Sequence, residues 1–213
     1  MAAIKAVIFD LGGVLIDWNP RYLFDDNYFP SVEQRDFFLE NICTDSWNEN
    51  QDAGYPIAKA TEEKVAEFPE WEQAIRDYYG RWEEMLKGAI PGTVEIFRQL
   101  KQNKELKLFA LTNWSAETFP IALERFDFLH WFDGRLVSGE EKTRKPFPEF
   151  YQRLADKWAV DPSSALFIDD NLRNVKAGLN MGLASIHFRS PEQLKDELQA
   201  RRLLGPLSPE GGA

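Results

Sequence analysis

Three short apolar runs, each stopped by polar residues at its C-terminal end, constrain this chain more than any other feature. Residues 4–9 (IKAVIF) run into Asp10, residues 106–111 (LKLFAL) into Thr112-Asn113, and residues 165–168 (ALFI) into Asp169-Asp170. Runs this short and this apolar suit strands buried on both faces, and turn or helix signals follow each of them. Two weaker strand candidates are residues 134–138 (GRLVS) and 184–188 (ASIHF). Helical patterns lie between. Residues 91–103 place Val94, Phe97 and Leu100 at helical spacing behind Pro91, and residues 148–158 gather Phe150, Tyr151, Leu154 and Trp158 on one side. Residues 171–181 run from a polar start to Gly182, a helix-stop signal. Strands alternating with helices predict an α/β fold, a parallel sheet covered by helices on both faces.

Residues 18 to about 87 break this rhythm. They hold no convincing strand, yet carry Trp18, Trp47, Trp71 and Trp82 and a cluster of tyrosines. Ser31 with Gln34 forms a capping-box signature, and residues 70–88 (EWEQAIRDYYGRWEEMLKG) have the pattern of one long amphipathic helix. A helical insertion after the first strand is expected: residues 1–16 and 88–205 as the α/β core, 17–87 as a small helical cap, and 206–213 as a flexible tail.

With a formal net charge of −10, a nucleic-acid or anionic-membrane partner is not expected. An anionic substrate would need a local positive element, a metal ion or a placed lysine. The lone Cys43 excludes an intrachain disulfide and a thiolate metal cluster. The N-terminal apolar run is too short for a signal peptide, and no segment approaches the ~18 apolar residues of a membrane helix, so a cytoplasmic protein is expected. Its expected state is a monomer or weak homodimer.

In an open parallel α/β sheet, ligands bind beyond the carboxyl ends of the strands. Asp10, Thr112 and the Asp169-Asp170 pair each sit at such an end. Any one of them has a plain alternative as a helix cap. Three unrelated segments delivering polar groups to one edge, with Lys145 on the approach to a helix, point instead to a shared site. The ammonium of Lys145 is suited to neutralise Asp10 and a dianionic substrate.

These residues resemble the motifs of the haloacid dehalogenase superfamily: FDLGGV the first, LTN the second, Lys145-Pro146 the third and FIDDNLRN the fourth, in the family's order. The nearest resemblance is to the branch of soluble epoxide hydrolase N-terminal phosphatase domains and bacterial sugar-1-phosphate phosphatases. The resemblance implies a Rossmann-like core with a cap, and a hydrolase acting on a small phosphorylated substrate. Asp10 would attack phosphorus and form an aspartyl-phosphate. Mg²⁺ would be held by Asp10, the Gly12 backbone carbonyl and Asp170, with Asp169 supporting the site. Thr112 would bind phosphate oxygens with Asn113 close by, Lys145 would orient Asp10, and Asn174 would hydrogen-bond near the metal.

Gly12 departs from that pattern. Most phosphatases of the superfamily carry there an aspartate that is the general acid/base, so the leaving group needs another proton source. Asp17 is a candidate, with capping of the turn at WNPR as its plain alternative. Two other readings compete. One is a 2-haloacid dehalogenase with Asp10 as carbon nucleophile, a branch that also lacks the second aspartate and whose spacing Lys145, Tyr151 and Asn171 match. Asp169-Asp170 argue against it, because uncompensated carboxylates facing Asp10 oppose its ionisation. The other is a binding protein on the same fold with turnover lost. In the cap, Trp18, Trp47, Asn48 and Gln51, with Trp114 after LTN, are candidates to line a pocket suited to a sugar ring. His130 and His187 suggest no zinc site.

Overall fold

Strict alternation along the apolar runs decides the layering. The computed structural model describes residues 3–205; the expected flexible tail at 206–213 lies outside the described residues. The strands are β1 (Ala6–Phe9), β2 (Ile16–Trp18), β3 (Leu86–Ala89), β4 (Lys107–Thr112), β5 (Gly134–Val137), β6 (Ala165–Asp169) and β7 (Ala184–His187). Five of them form one parallel sheet in the order β5-β4-β1-β6-β7, with β1 at its centre. Val7, Phe9, Leu108, Ala110, Leu166 and Ile168 point to one face, while Ile8, Phe109, Leu111 and Phe167 point to the other.

Between β2 and β3 run α1 (Val32–Phe37), α2 (Asp45–Asp52), α3 (Ile57–Glu67) and α4 (Glu72–Gly80). After β3 come α5 (Pro91–Leu100), α6 (Phe119–Arg125), α7 (Ser138–Glu141), α8 (Pro148–Trp158), α9 (Leu172–Asn180) and α10 (Pro191–Ala200). Ile96, Phe97 and Leu100 of α5 and Leu194 and Leu198 of α10 cover the first face; Phe150, Tyr151 and Leu154 of α8 cover the second. The Rossmann-like arrangement expected from the sequence is the one observed, with helices on both faces. Phe24, Phe38 and Tyr78 of the intervening segment belong to the same buried cluster as Phe9. Ser31 caps α1, its hydroxyl accepting the Gln34 N–H at 3.3 Å.

The stretch 70–88 differs from expectation. In place of one long helix, α4 ends at Gly80, a tight turn follows over Trp82–Met85, and Leu86 opens β3, which pairs antiparallel with β2. The segment 18–87 therefore does contain strand residues at its ends. Gly80 is a poor helix former, and closing the strand pair buries Met85 and Leu86 completely or nearly so. Tertiary pairing outweighs the helical period there.

Phe97 is fully buried, its ring 4.4 Å from that of Phe132 and 5.5 Å from that of Phe9. Phe97→Ala is expected to lower unfolding free energy by about 3–5 kcal/mol, read from urea denaturation. A loss below ~1 kcal/mol would contradict this account of the core.

Candidate active site

The first and last members of the site are placed by adjacent strands. Asp10 continues β1, its N–H donating to the Ile168 carbonyl of β6 at 2.8 Å, so it lies beside Asp169 and Asp170 at one sheet edge. Lys145 comes from the loop before α8 and is completely buried. Its ammonium lies 2.7 Å from Asp10 Oδ2 and 2.7 Å from Asp169 Oδ2. Asn113 holds the lysine in place: its Oδ1 accepts the Lys145 N–H at 2.8 Å and its Nδ2 donates to the Lys145 carbonyl at 3.0 Å. Both ends of the Asn113 amide are thus engaged with the lysine's backbone.

Asp169 is surrounded by donors. Besides Lys145 it accepts the Asn171 N–H at 2.8 Å and Asn174 Nδ2 at 3.2 Å, and Tyr151 donates to the Asn174 carbonyl at 2.9 Å. Asp10 accepts the Leu11 N–H at 2.7 Å through Oδ1 besides Lys145 through Oδ2, and Asp170 lies exposed just beyond β6. Burial pushes the Asp10 carboxyl well above its ordinary range, and Asp169 and Asp170 add to this while Lys145 opposes it. Burial and then Asp169 raise Asp170 in the same way. Burial alone would lower Lys145, but Asp10 and Asp169 outweigh it and hold its pKa above the usual value.

Three carboxylates against one ammonium leave an excess of negative charge in a buried place. Oxygens of Asp10, Asp169 and Asp170 lie within 4.8 Å of one another, a hard oxygen donor set suited to a divalent cation. Gly13 makes room for it: at φ +72° a Cβ would stand 2.1 Å from Asp170 Oδ2, so only glycine lets that carboxylate in. The fit to a cation is therefore good. Gly12 is different, since a Cβ there would meet nothing within 4 Å. At the end of β4 the buried hydroxyl of Thr112 has no partner among the described residues, which marks it as poised for a ligand.

Beside Gly12 lies a cavity of about 70 Å³. Trp18, Trp82 and Trp114 wall it, and Asn48 and Asp52 of α2 close it. The indole N–H groups of Trp18 and Trp114 are buried without partners among the described residues. Asn48 accepts the Tyr79 hydroxyl at 2.8 Å and donates to Asp52 at 3.0 Å. Gln51 is buried behind them, 3.2 Å from the same hydroxyl. Trp47 packs against the rings of Tyr78 and Tyr79, at 5.3 and 5.5 Å, and lines a separate surface groove of about 620 Å³ that none of the Asp10 cluster reaches. Asp17 also lies outside the small cavity: both its oxygens accept the Tyr22 hydroxyl, at 2.8 and 2.9 Å, and Asn19 caps the turn that follows. His187 Nε2 is 2.9 Å from the Asp170 carbonyl, and His130 meets the Leu123 carbonyl.

Sequence reasoning passed over Asp52. Its only sequence signal is an acidic residue ending the polar stretch SWNENQ. In the structure burial and neighbouring Glu49 push its carboxyl up to about 7, against the Ser115 N–H, Arg144 and Lys145. Three contacts fasten α2 to the sheet edge: Ser138 Oγ donates to the Asp52 carbonyl, and Glu49 pairs with Arg144 at 2.8 Å and with Arg173.

A family profile for haloacid dehalogenase-like hydrolases matches residues 4–182. A sesquiterpene phosphatase of Aspergillus oryzae is 27% identical over 212 residues, spanning 94% of this chain and 97% of that protein. A phosphorylated carbohydrates phosphatase of Thermotoga maritima is 25% identical, spanning 86% and 84%. Among solved structures, a magnesium complex of a family enzyme from Bacteroides thetaiotaomicron superposes with TM-score 0.71 at 19% identity, over 93% of this chain and all of that one. An L-2-haloacid dehalogenase from Xanthobacter autotrophicus gives 0.62 at 19% identity, over 92% and 83%, which shows a shared fold. Among the described residues, no helix is long and apolar enough to cross a membrane.

Removing the ammonium from this cluster should be costly. Lys145→Met is expected to destabilise the protein by about 3–5 kcal/mol at neutral pH, measured by urea unfolding. Asp10 is held above its ordinary carboxylate range, so as pH falls through that raised value it takes a proton and the deficit shrinks. A deficit that grows on acidification would contradict the charge balance described.

Proposed function

The chain belongs to the haloacid dehalogenase-like hydrolases, and from that premise we propose that it is a Mg²⁺-dependent phosphatase. Its substrate is a small phosphorylated metabolite, with sugar phosphates the first class to test, and its intermediate is an aspartyl-phosphate. The observation that carries the reading is the gathering of Asp10 with Asp169 and Asp170 around Lys145. A nucleophilic carboxylate so placed needs a second cation beside the lysine, and phosphate chemistry supplies the reason for one.

Asp10 attacks phosphorus, in line with the departing oxygen, and water later hydrolyses the acyl phosphate. Lys145 aims the carboxylate and offsets the charge of the phosphoryl oxygens. The unpartnered Thr112 hydroxyl binds one of those oxygens. Asp10, Asp170 and the Gly12 carbonyl would hold Mg²⁺, with Asp169 and Asn174 steadying the surroundings. Bound there, the ion would neutralise the carboxylates and supply Lewis-acid polarisation of the phosphoryl group. The segment between β2 and β3 acts as a cap, its Asn48 lining one small cavity with Gly12, Trp18 and Trp114. The names of the two phosphatase relatives favour this reaction class over dehalogenation.

The test is phosphate release from sugar phosphates and aryl phosphates, with Mg²⁺ and with chelator, beside halide release from 2-haloacids. Turnover should require the metal, fall to background in Asp10→Asn, and drop on the order of 10²-fold in Thr112→Val. Metal-independent halide release that outruns phosphate release would overturn the reading. So would partner binding with no turnover on any substrate.

A further inference from the structure

Gly12 leaves open which group protonates the departing oxygen, and the cavity beside it narrows the choice. A Cβ at position 12 would meet nothing within 4 Å, so its sterics do not demand glycine there, and Gly12 lines the cavity. Asp52 is the one carboxyl among that cavity's lining residues, and it enters from the end of α2, far from Gly12 in sequence and carried by a different part of the fold. The other carboxyls are spoken for. Asp169 is enclosed by donors, Asp10 and Asp170 face the cation position, and Asp17 is bound by Tyr22 outside the cavity. We propose that Asp52 is the proton donor and acceptor of the reaction, supplied from the helical segment in place of the aspartate that position 12 lacks. This inference rests on the phosphatase reading above.

The surroundings suit that role. Asn48 fixes the carboxyl through a 3.0 Å hydrogen bond, and Ser138 anchors the Asp52 carbonyl to the sheet edge. Glu49 on the same helix raises its pKa after burial, while the Ser115 N–H, Arg144 and Lys145 pull it down; the Tyr78 and Tyr79 side chains also feel its charge. The balance lies near 7, where a carboxyl both gives and takes a proton at neutral pH. In the first half-reaction the Asp10–phosphorus bond forms, the bond from phosphorus to the leaving oxygen breaks, and the Asp52 proton passes to that oxygen. In the second, a water oxygen bonds to phosphorus, its proton returns to Asp52, and the Asp10–phosphorus bond breaks to free phosphate.

Asp52→Asn separates this role from a structural one. Turnover of sugar or alkyl phosphates should fall about 10²–10⁴-fold, whereas 4-nitrophenyl phosphate, whose leaving group needs no proton, should lose far less. Asp52→Glu should recover part of the loss, and adding Gly12→Asp to Asp52→Asn should restore turnover of the poor leaving groups. In metal-free protein, tryptophan fluorescence should titrate near pH 7, through Trp18, Trp82 and Trp114, and this step should vanish in Asp52→Asn. Equal losses on both substrate classes, or full activity of Asp52→Asn on sugar phosphates while Asp10→Asn is dead, overturns Asp52 and leaves the phosphatase reading standing. Absence of phosphate release by the wild-type protein from either class overturns both.

Discussion

The ammonium of Lys145, buried between Asp10 and Asp169, is the interaction on which the rest of this site depends. It is the only positive charge touching that carboxylate cluster among the described contacts, and it is delivered by a loop, not by the sheet. The loop in turn is held by Asn113 at the end of β4, so the second strand end positions the cation that neutralises the first. One lysine cannot balance Asp10, Asp169 and Asp170 together. That imbalance is what makes the cluster a receptor for further positive charge and not merely a buried ion pair.

The helical segment between β2 and β3 is part of the same argument. Its aromatic residues join the buried cluster that covers one face of the sheet, and α2 is tied to the sheet edge through Ser138 and Arg144. These ties bring Asn48 and Asp52 to within one small cavity of Gly12 and Trp114. A segment that only covered the site would need no such polar fastening at the end of α2. Here the fastening holds a carboxyl over the place where position 12 offers none.

How much was legible beforehand differs by residue. The β1, β4 and β6 runs announced their own ends, so Asp10, Thr112, Asp169 and Asp170 could be assigned to one edge from local pattern and the general geometry of parallel sheets. Lys145 was legible through the ordered motifs. Asn113 was legible as a neighbour of the site, but its hydrogen bonds to Lys145 were not, because the two are separated by a long stretch of chain. Residues 70–88 carry a helical period that misleads beyond Gly80, because periodicity is a local signal, whereas β3 exists only through its pairing with β2. Trp47 and Asn48 looked equivalent as neighbours on one polar-aromatic stretch. On α2 they point to different places, Trp47 to the Tyr78 and Tyr79 rings and Asn48 to the cavity.

The sequence by itself determined the layered α/β order, the strand ends that carry the chemistry, and the family to which the chain belongs. The first two follow from periodicity and from residue types at short spacing, which act within a few residues; the family follows from the resemblance of its ordered motifs. Only the tertiary structure decided that Asp17 is occupied by Tyr22, that Gly12 borders open space, and that Asp52 stands across it in a setting that raises its carboxyl. Burial and charge environment are sums over groups distant in the chain, and no local pattern encodes them.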